Sequence, residues 1–275
     1  MPWQAKLELN YLRQDGGKTY VQASHDGPLR VLKSHFPEGP AVCHNVIVHP
    51  PGGIVEGDTL DVAVRVAEGA HAFISTPGAT RFYASDNVPG QQLVRLKVEN
   101  RARLEWLPLE TIAYSGCFGH NHLEIELAEG AEIMAWDVTA LGLPAAGQAY
   151  ERGRFHQRMS LGKLWLEEGW LDATDSRLLN SPVGLNGQRS LGTMVLASGS
   201  TLGRDRMEHL LEAARSVQAS ADIVVGCTSP NGQMIVIRAL APVVEPLMAY
   251  FQAVWAQLRP AAWDMPASSA RIWHV

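Results

Sequence analysis

Apolar and polar residues alternate along most of the first two-thirds of the chain. In "TLDVAVRV" (residues 59–66), Leu60, Val62, Val64 and Val66 are apolar, with Asp61 and Arg65 among the alternates. In "HLEIEL" (122–127), Leu123, Ile125 and Leu127 alternate with Glu124 and Glu126. A period of two marks a strand with one face buried. "KLELNYL", "KTYVQAS", "QQLVRLKV" and "AEIMAWDV" follow the pattern less regularly, with glycine, proline and asparagine between them.

The strands repeat. "RVAEGAHAFI", "KVENRARLEWL" and "ELAEGAEIMAW" share one plan: strand, short polar turn, alanine, strand. Ala70, Ala102 and Ala131 occupy the matching place, so the units sit 32 and 29 residues apart. Repetition at that period predicts stacked β units, each burying a face against the next. The expected fold is mainly β, a β-helix-like stack rather than a closed barrel.

Near residue 200 the period changes. Met207, Leu210, Leu211, Ala214 and Val217 recur at helical spacing. "DIVVGC" and "MIVIRAL" follow, joined through Asn231-Gly232, a strong hairpin signal. A second helix is predicted from Pro246 to Arg259-Pro260, carrying Leu247, Met248, Phe251, Val254, Trp255 and Leu258. "SSARIWHV" is a candidate last strand. No low-complexity linker intervenes, so residues 1–275 read as one domain. Its β-rich part covers about 1–198, and a mixed αββα-type subdomain with two helices covers about 199–275.

Length, charge and cysteine usage narrow the class. The chain has 275 residues, 46% apolar and 19% charged, enough for one large core. A net charge of −5 gives no general reason to expect nucleic acid or an acidic membrane as partner. Cys43, Cys117 and Cys227 are an odd, scattered set with no disulfide framework, as in a reducing compartment. No apolar run approaches the ~20 residues that span a bilayer, and "MPWQAKLELNYL" lacks a signal core. The expected location is cytoplasmic.

The candidate chemistry has several competing readings. "HPPGGIVEGDTL" (49–60) is no Walker loop, because no Gly-Lys-Ser/Thr follows and a strand comes next. It reads as a turn in which Gly52, Gly53 and Gly57 supply positive φ and Pro51 fixes the entry. Cys43, His44 and His49 form one possible ligand set for zinc, nickel or copper; Cys117, His120 and His122 form another. Neither has zinc-finger spacing, and Cys43 is equally well read as a small buried residue. Asp137, ending a strongly apolar strand, requires partners, as a structural acceptor or in the lining of a polar interior. Glu105 and Glu110 bracket "WLP", while Glu167, Glu168 and Asp172 lie near Trp165 and Trp170. Carboxylates beside tryptophan read as amphipathic surface strand. No Gly-x-Ser-x-Gly, His-Glu-x-x-His or Cys-x-x-Cys is present, so no activated nucleophile is marked.

"HPPGGIVEGDTL", "STPGATRFYAS" and "LEWLPLETIAYSG", in that order, together with "AWDVTALGLP" and the terminal "RIW", resemble the urease accessory proteins of the UreD family, called UreH in some organisms. The resemblance runs from about residue 5 to the end. It implies a non-catalytic scaffold that binds UreF, through it the GTPase UreG, and docks on apo-urease. It further implies a β-rich stack, no tightly bound cofactor, and an internal passage for transient nickel(II) lined by Asp58 and Asp137. Two positions depart from the family pattern: Glu56 stands where glycine is common, and Leu109 where glutamine is common. If the backbone at 56 required positive φ, glutamate would cost on the order of 1 kcal/mol. Otherwise the turn is ordinary there, or Glu56 adds a carboxylate beside Asp58. The alternative function is a metal-dependent β-fold enzyme using Cys43, His44 and His49, and a third reading is a metal-free interaction module.

Overall fold

A computed structural model describes residues 2–268 and 270–274. Its described residues form two sheets. The first contains β1 (Gln4–Arg13), β2 (Thr19–Asp26), β5 (Thr59–Val66), β8 (Gly90–Val98), β11 (Cys117–Leu127), β14 (Gly153–Leu161) and β15 (Trp165–Asp172), ordered β15-β14-β11-β8-β5-β1-β2. The second contains β3 (Arg30–Val31), β4 (Val42–Val48), β6 (His71–Ser75), β9 (Arg103–Trp106), β12 (Glu132–Leu143), β16 (Ser190–Ser198), β17 (Val224–Asn231) and β18 (Met234–Ala241), ordered β17-β18-β16-β12-β9-β6-β4-β3. Three short strands complete it: β10 (Thr111–Ala113) and β13 (Gln148–Ala149) pair with β12, and β7 (Thr80–Phe82) pairs with β10.

From β4 to β14 the chain passes back and forth between the sheets, adding a parallel strand to one and then the other. The sequence repeat is this coil seen in one dimension. His71 pairs with Arg103 and Arg103 with Glu132, which places Ala70, Ala102 and Ala131 in one stack. All three are buried, and each passes its carbonyl to the next layer: Arg103 N donates to Ala70 O, Glu132 N to Ala102 O, and Gly199 N to Ala131 O. A larger side chain would force the layers apart, which explains the alanines. The mainly β, solenoid-like stack is the architecture that the pattern predicts.

The second sheet is covered on both faces. Its inner side chains, among them Ile74, Leu104, Ile133 and Val195, meet Leu7, Val62, Leu96 and Ile125 of the first sheet. Its outer side chains, among them Phe73, Met134, Trp136 and Ile237, pack under two helices, α2 (Arg204–Arg215) and α3 (Val244–Trp263). A short helix, α1 (Ser176–Asn180), carries no helical period long enough to read; Asp175 caps it by accepting from Leu178 N. The αββα order is found as α2-β17-β18-α3, and β18 pairs with β16, so this region extends the same sheet.

Two expected boundaries are corrected. The last helix starts at Val244 and runs through Pro260 to Trp263. Proline forfeits one backbone bond, but the final turn is held by Trp263, whose indole nitrogen donates to buried Glu132 at 2.6 Å. Within the expected last strand, Ser269 and Val275 lie outside the described residues, and Arg271–His274 form a 3-10 turn. Trp273 packs there against Phe73, Trp136 and Trp255 and donates to Ser75 Oγ at 3.0 Å.

Candidate functional site

The space between the sheets is largely apolar, but besides a buried Tyr11–Asn45 hydrogen bond it carries one polar row. β8, β11 and β14 are in register at Gln92, Asn121 and Gln157, and all three side chains point inward. Opposite them, β12 presents Asp137, and β16 and β18 continue the row with Thr193 and Arg238. Gln92 Nε2 donates to Asn121 Oδ1 at 3.1 Å. Asn121 Nδ2 donates to both Asp137 oxygens at 3.1 Å, and Gln157 Nε2 donates to Asp137 Oδ2 at 2.9 Å. Asp137 thus lies buried with neutral amide donors and, among the described residues, no cation bonded to it. Burial pushes its carboxyl up to about 6, against the opposing hydrogen bonds from Gln157 and Asn121.

Two cavities adjoin this polar row. One, of about 360 Å³, is lined by Asn121 and Asp137 and reaches His49, Gly52 and Thr76 in the loops and Arg81 on β7. The other, of about 420 Å³, is lined by Gln157, Glu167, Thr193 and Arg238. Glu167 is not plain surface strand: its carboxylate accepts from Thr193 Oγ1 at 2.5 Å and from Arg238 Nε at 2.6 Å. The signal that would have found it is the strand period, since Trp165, Glu167, Gly169 and Leu171 share the inward face of β15.

Asp58 is placed differently. It is 1% exposed, and its oxygens accept from Trp3 N at 2.7 Å and Val55 N at 3.1 Å. It fastens the Gly-rich turn to the N-terminal strand, and its charge acts on His49, which lines the first cavity. Burial lowers the His49 pKa while Asp58 opposes that shift, and His49 Nε2 is buried without a hydrogen-bond partner. Within the turn, Gly52 and Gly57 have φ of 79° and 77°, as expected, but Gly53 does not have positive φ. What requires glycine at 53 is space, because a Cβ there would lie 2.1 Å from the Tyr83 ring. Glu56 has an ordinary backbone, and its exposed carboxylate accepts from Asn87 N at 3.0 Å and Val88 N at 3.1 Å.

The Cys/His ligand sets are not assembled. Cys43 and His44 are neighbours on β4 and therefore face opposite sides of the sheet. Cys43 lies in the core between the sheets, while His44 stacks on Phe73 and contacts Glu38 at 2.7 Å. Cys117 likewise faces inward, where burial pushes its thiol up to about 11, away from His120 and His122 on the outer face. As placed, no three His, Cys, Asp or Glu side chains among the described residues form a ready metal site. The enzyme reading built on Cys43, His44 and His49 is not favoured by this geometry.

Glu105 also departs from the surface reading. It is fully buried under α3, where it accepts from Trp255 Nε1 at 2.6 Å and lies 3.1 Å from Arg259 and 2.8 Å from His71.

A two-sheet solenoid backed by helices, with a polar line through its core, defines the class: a β-solenoid-like protein. A family model described as UreD urease accessory protein matches residues 4–274, and the chain belongs to that family. It is similar to proteins named urease accessory protein UreD from Albidiferax ferrireducens (52% identical), Polaromonas sp. strain JS666 (50%) and Variovorax paradoxus (49%), with 99–100% of each chain covered. It is an accessory protein of urease rather than an enzyme.

Proposed function

We propose that this protein joins UreF and UreG, docks on apo-urease in the cytoplasm and assists transfer of nickel(II) to the urease active site. In this reading the two cavities form one passage that narrows at Asp137, with Glu167 beyond it and the turn fastened by Asp58 shaping the entrance. The observation that carries the reading is the polar line Gln92–Asn121–Asp137–Gln157, with its buried carboxylate, in a largely apolar core. A divalent ion crossing a protein needs oxygen ligands to replace part of its hydration shell, and negative charge to offset desolvation. It also needs ligands that release it, so amides around one carboxylate suit transfer better than a closed thiolate cage. Exposed Leu164, Leu166, Val183, Val224 and Val225 supply apolar surface for a partner at the end of the stack formed by β15 and β17. Among the described residues no helix is long and apolar enough to cross a membrane.

The test is urease activation in cells lacking the gene and complemented with wild type or Asp137→Ala. Without the protein, urease assembles but carries little nickel. The variant co-purifies with UreF and UreG, yet leaves urease nickel several-fold below wild type. Full nickel content with the variant would remove Asp137 from the delivery route.

A further inference from the structure

The outer face of the first sheet carries a feature that the passage does not use. β11 presents His120 and His122 outward, and β14 presents His156 in register with His120. The ring centroids are 5.6 Å (His120–His122), 5.5 Å (His120–His156) and 5.0 Å (His122–His156) apart. A tetrahedral cation with metal–nitrogen bonds of about 2.0–2.1 Å holds imidazole centroids roughly 5 Å apart. We propose that His120, His122 and His156 form a binding site for a nickel-, copper- or zinc-like divalent cation, oriented by Glu168. This site lies across the sheet from Asp137, and it stands on the imidazoles alone, independently of the nickel-delivery reading.

The hydrogen bonds assign each nitrogen. His156 Nε2 lies 3.2 Å from Glu168 Oε1, and the carboxylate fixes the proton on Nε2. His156 Nδ1 is then a lone pair, and it accepts from His122 Nε2 at 2.8 Å. His120 Nε2 is buried without a hydrogen-bond partner. The arrangement is thus metal-free, with two candidate ligands bonded to each other and the third unsatisfied. Binding turns the His122 ring and moves its proton from Nε2 to Nδ1, which frees both nitrogens with no net proton release. Carboxylate–histidine–metal order is the usual way in which a ligand ring is held and its basicity raised. Trp170 covers the cluster, with centroids 5.4 Å from His120 and 4.7 Å from His156. Burial, then repulsion from the neighbouring imidazoles and arginines, lowers the pKa of His120 and His122, and so favours the unprotonated, ligating form near neutral pH.

The experiment uses the full chain purified without a polyhistidine tag. Equilibrium dialysis against nickel chloride and zinc chloride should show one equivalent of either ion that is removed by His156→Gln or His122→Gln. Glu168→Gln should weaken binding about tenfold, since it leaves the three nitrogens in place. In case a histidine variant fails to fold by circular dichroism, the copper(II) form of the unmodified chain supplies an independent reading. Electron paramagnetic resonance should count three nitrogen ligands, and oxygen-only coordination would overturn the site. Unchanged dialysis with folded His156→Gln, or no saturable binding by the wild-type chain, would overturn it equally.

Discussion

Two buried carboxylates on opposite faces of the second sheet, Glu105 on β9 and Asp137 on β12, titrate in opposite directions. Burial alone would raise both. At Glu105 the His71 hydrogen bond, the charges of His71 and Arg259 and the Trp255 indole outweigh it, holding the carboxyl below its ordinary range. Arg259, fully buried, also pairs with Glu38, and Glu38 contacts His44 at 2.7 Å, so the cluster ties α3 to β4, β6 and β9. At Asp137 only neutral amides answer the charge, and the pKa rises to about 6. A carboxylate satisfied by cations is fixed in place and holds the fold. One held by amides beside a cavity retains unspent charge, the property that a transit site needs.

The largest test of that contrast removes the cation. Arg259→Met leaves Glu105 and Glu38 buried together with only His71, His44 and Trp255 as partners. Breaking a buried pair from one side costs about 3–5 kcal/mol, so the urea midpoint of the full chain should fall sharply. A loss below about 1 kcal/mol would mean that water reaches Glu105, and the contrast would fail. The pH dependence has a definite sign. Glu105 is depressed, so its stabilisation is present above the unfolded value of about 4.3 and is lost as pH falls through the folded value.

Asp137 must slope the other way. Its folded pKa is raised, so its contribution is fully present below the unfolded value of about 3.9 and is lost as pH rises through about 6. Relative to Asp137→Asn, the wild-type chain should lose roughly 2–3 kcal/mol of stability between pH 4 and pH 7. The asparagine variant brings a pH-independent offset, since its amide must turn its oxygen toward Asn121 and Gln157; the slope therefore carries the result. A flat difference across that range would show Asp137 to be an ordinary solvated carboxylate. Under the proposed function, nickel loading should also fall below about pH 6, as protonation removes the charge.

The fold was legible where side-chain period and backbone demand coincide. Leu60, Val62, Val64 and Val66 specify β5, and the alanines at 70, 102 and 131 specify the stacking, because a strand's period survives without its neighbours. The partners of a buried charge are not local. Glu105 meets Trp255 and Arg259 across 150 and 154 residues of chain, and nothing near "LEWLP" announces them. Glu167 stands partly exposed on the amphipathic β15, but its partners Thr193 and Arg238, on strands 26 and 71 residues away, are equally silent in the local sequence. Asp137 was identifiable as a polar residue in an apolar strand, but the amides facing it were not. The cysteine–histidine sets failed on parity: adjacent positions such as Cys43 and His44 cannot share a face of one strand.

Asp58 provides a smaller effect. Asp58→Ala removes the acceptor from the partly buried N–H groups of Trp3 and Val55, and should cost about 1–2 kcal/mol. Asp58→Asn retains one good acceptor and should recover part of that loss. If Asp58 acts by shaping the turn, nickel loading should follow the melting temperature across the two variants. If the asparagine variant melts like wild type and still fails to load urease, the charge itself is needed at the entrance.

The smallest effect belongs to Glu56, two residues from Asp58 in the same loop. Its carboxylate also accepts two backbone N–H groups, at 3.0 and 3.1 Å, so the bonding of the two residues looks alike. Their exposure differs: Glu56 is exposed and Asp58 is not. When the Glu56 bonds are removed, water takes the freed amides of Asn87 and Val88, whereas those of Trp3 and Val55 donate to a buried carboxylate and are partly covered. Its backbone is also ordinary, so no strain is relieved by restoring glycine at that position. Glu56→Gln should therefore shift stability by no more than about 0.5 kcal/mol, with urease nickel content unchanged. A loss above about 1 kcal/mol would mean that this loop is sealed when partners are bound. A fall in nickel loading without any change in melting would assign Glu56 a second carboxylate's role beside Asp58.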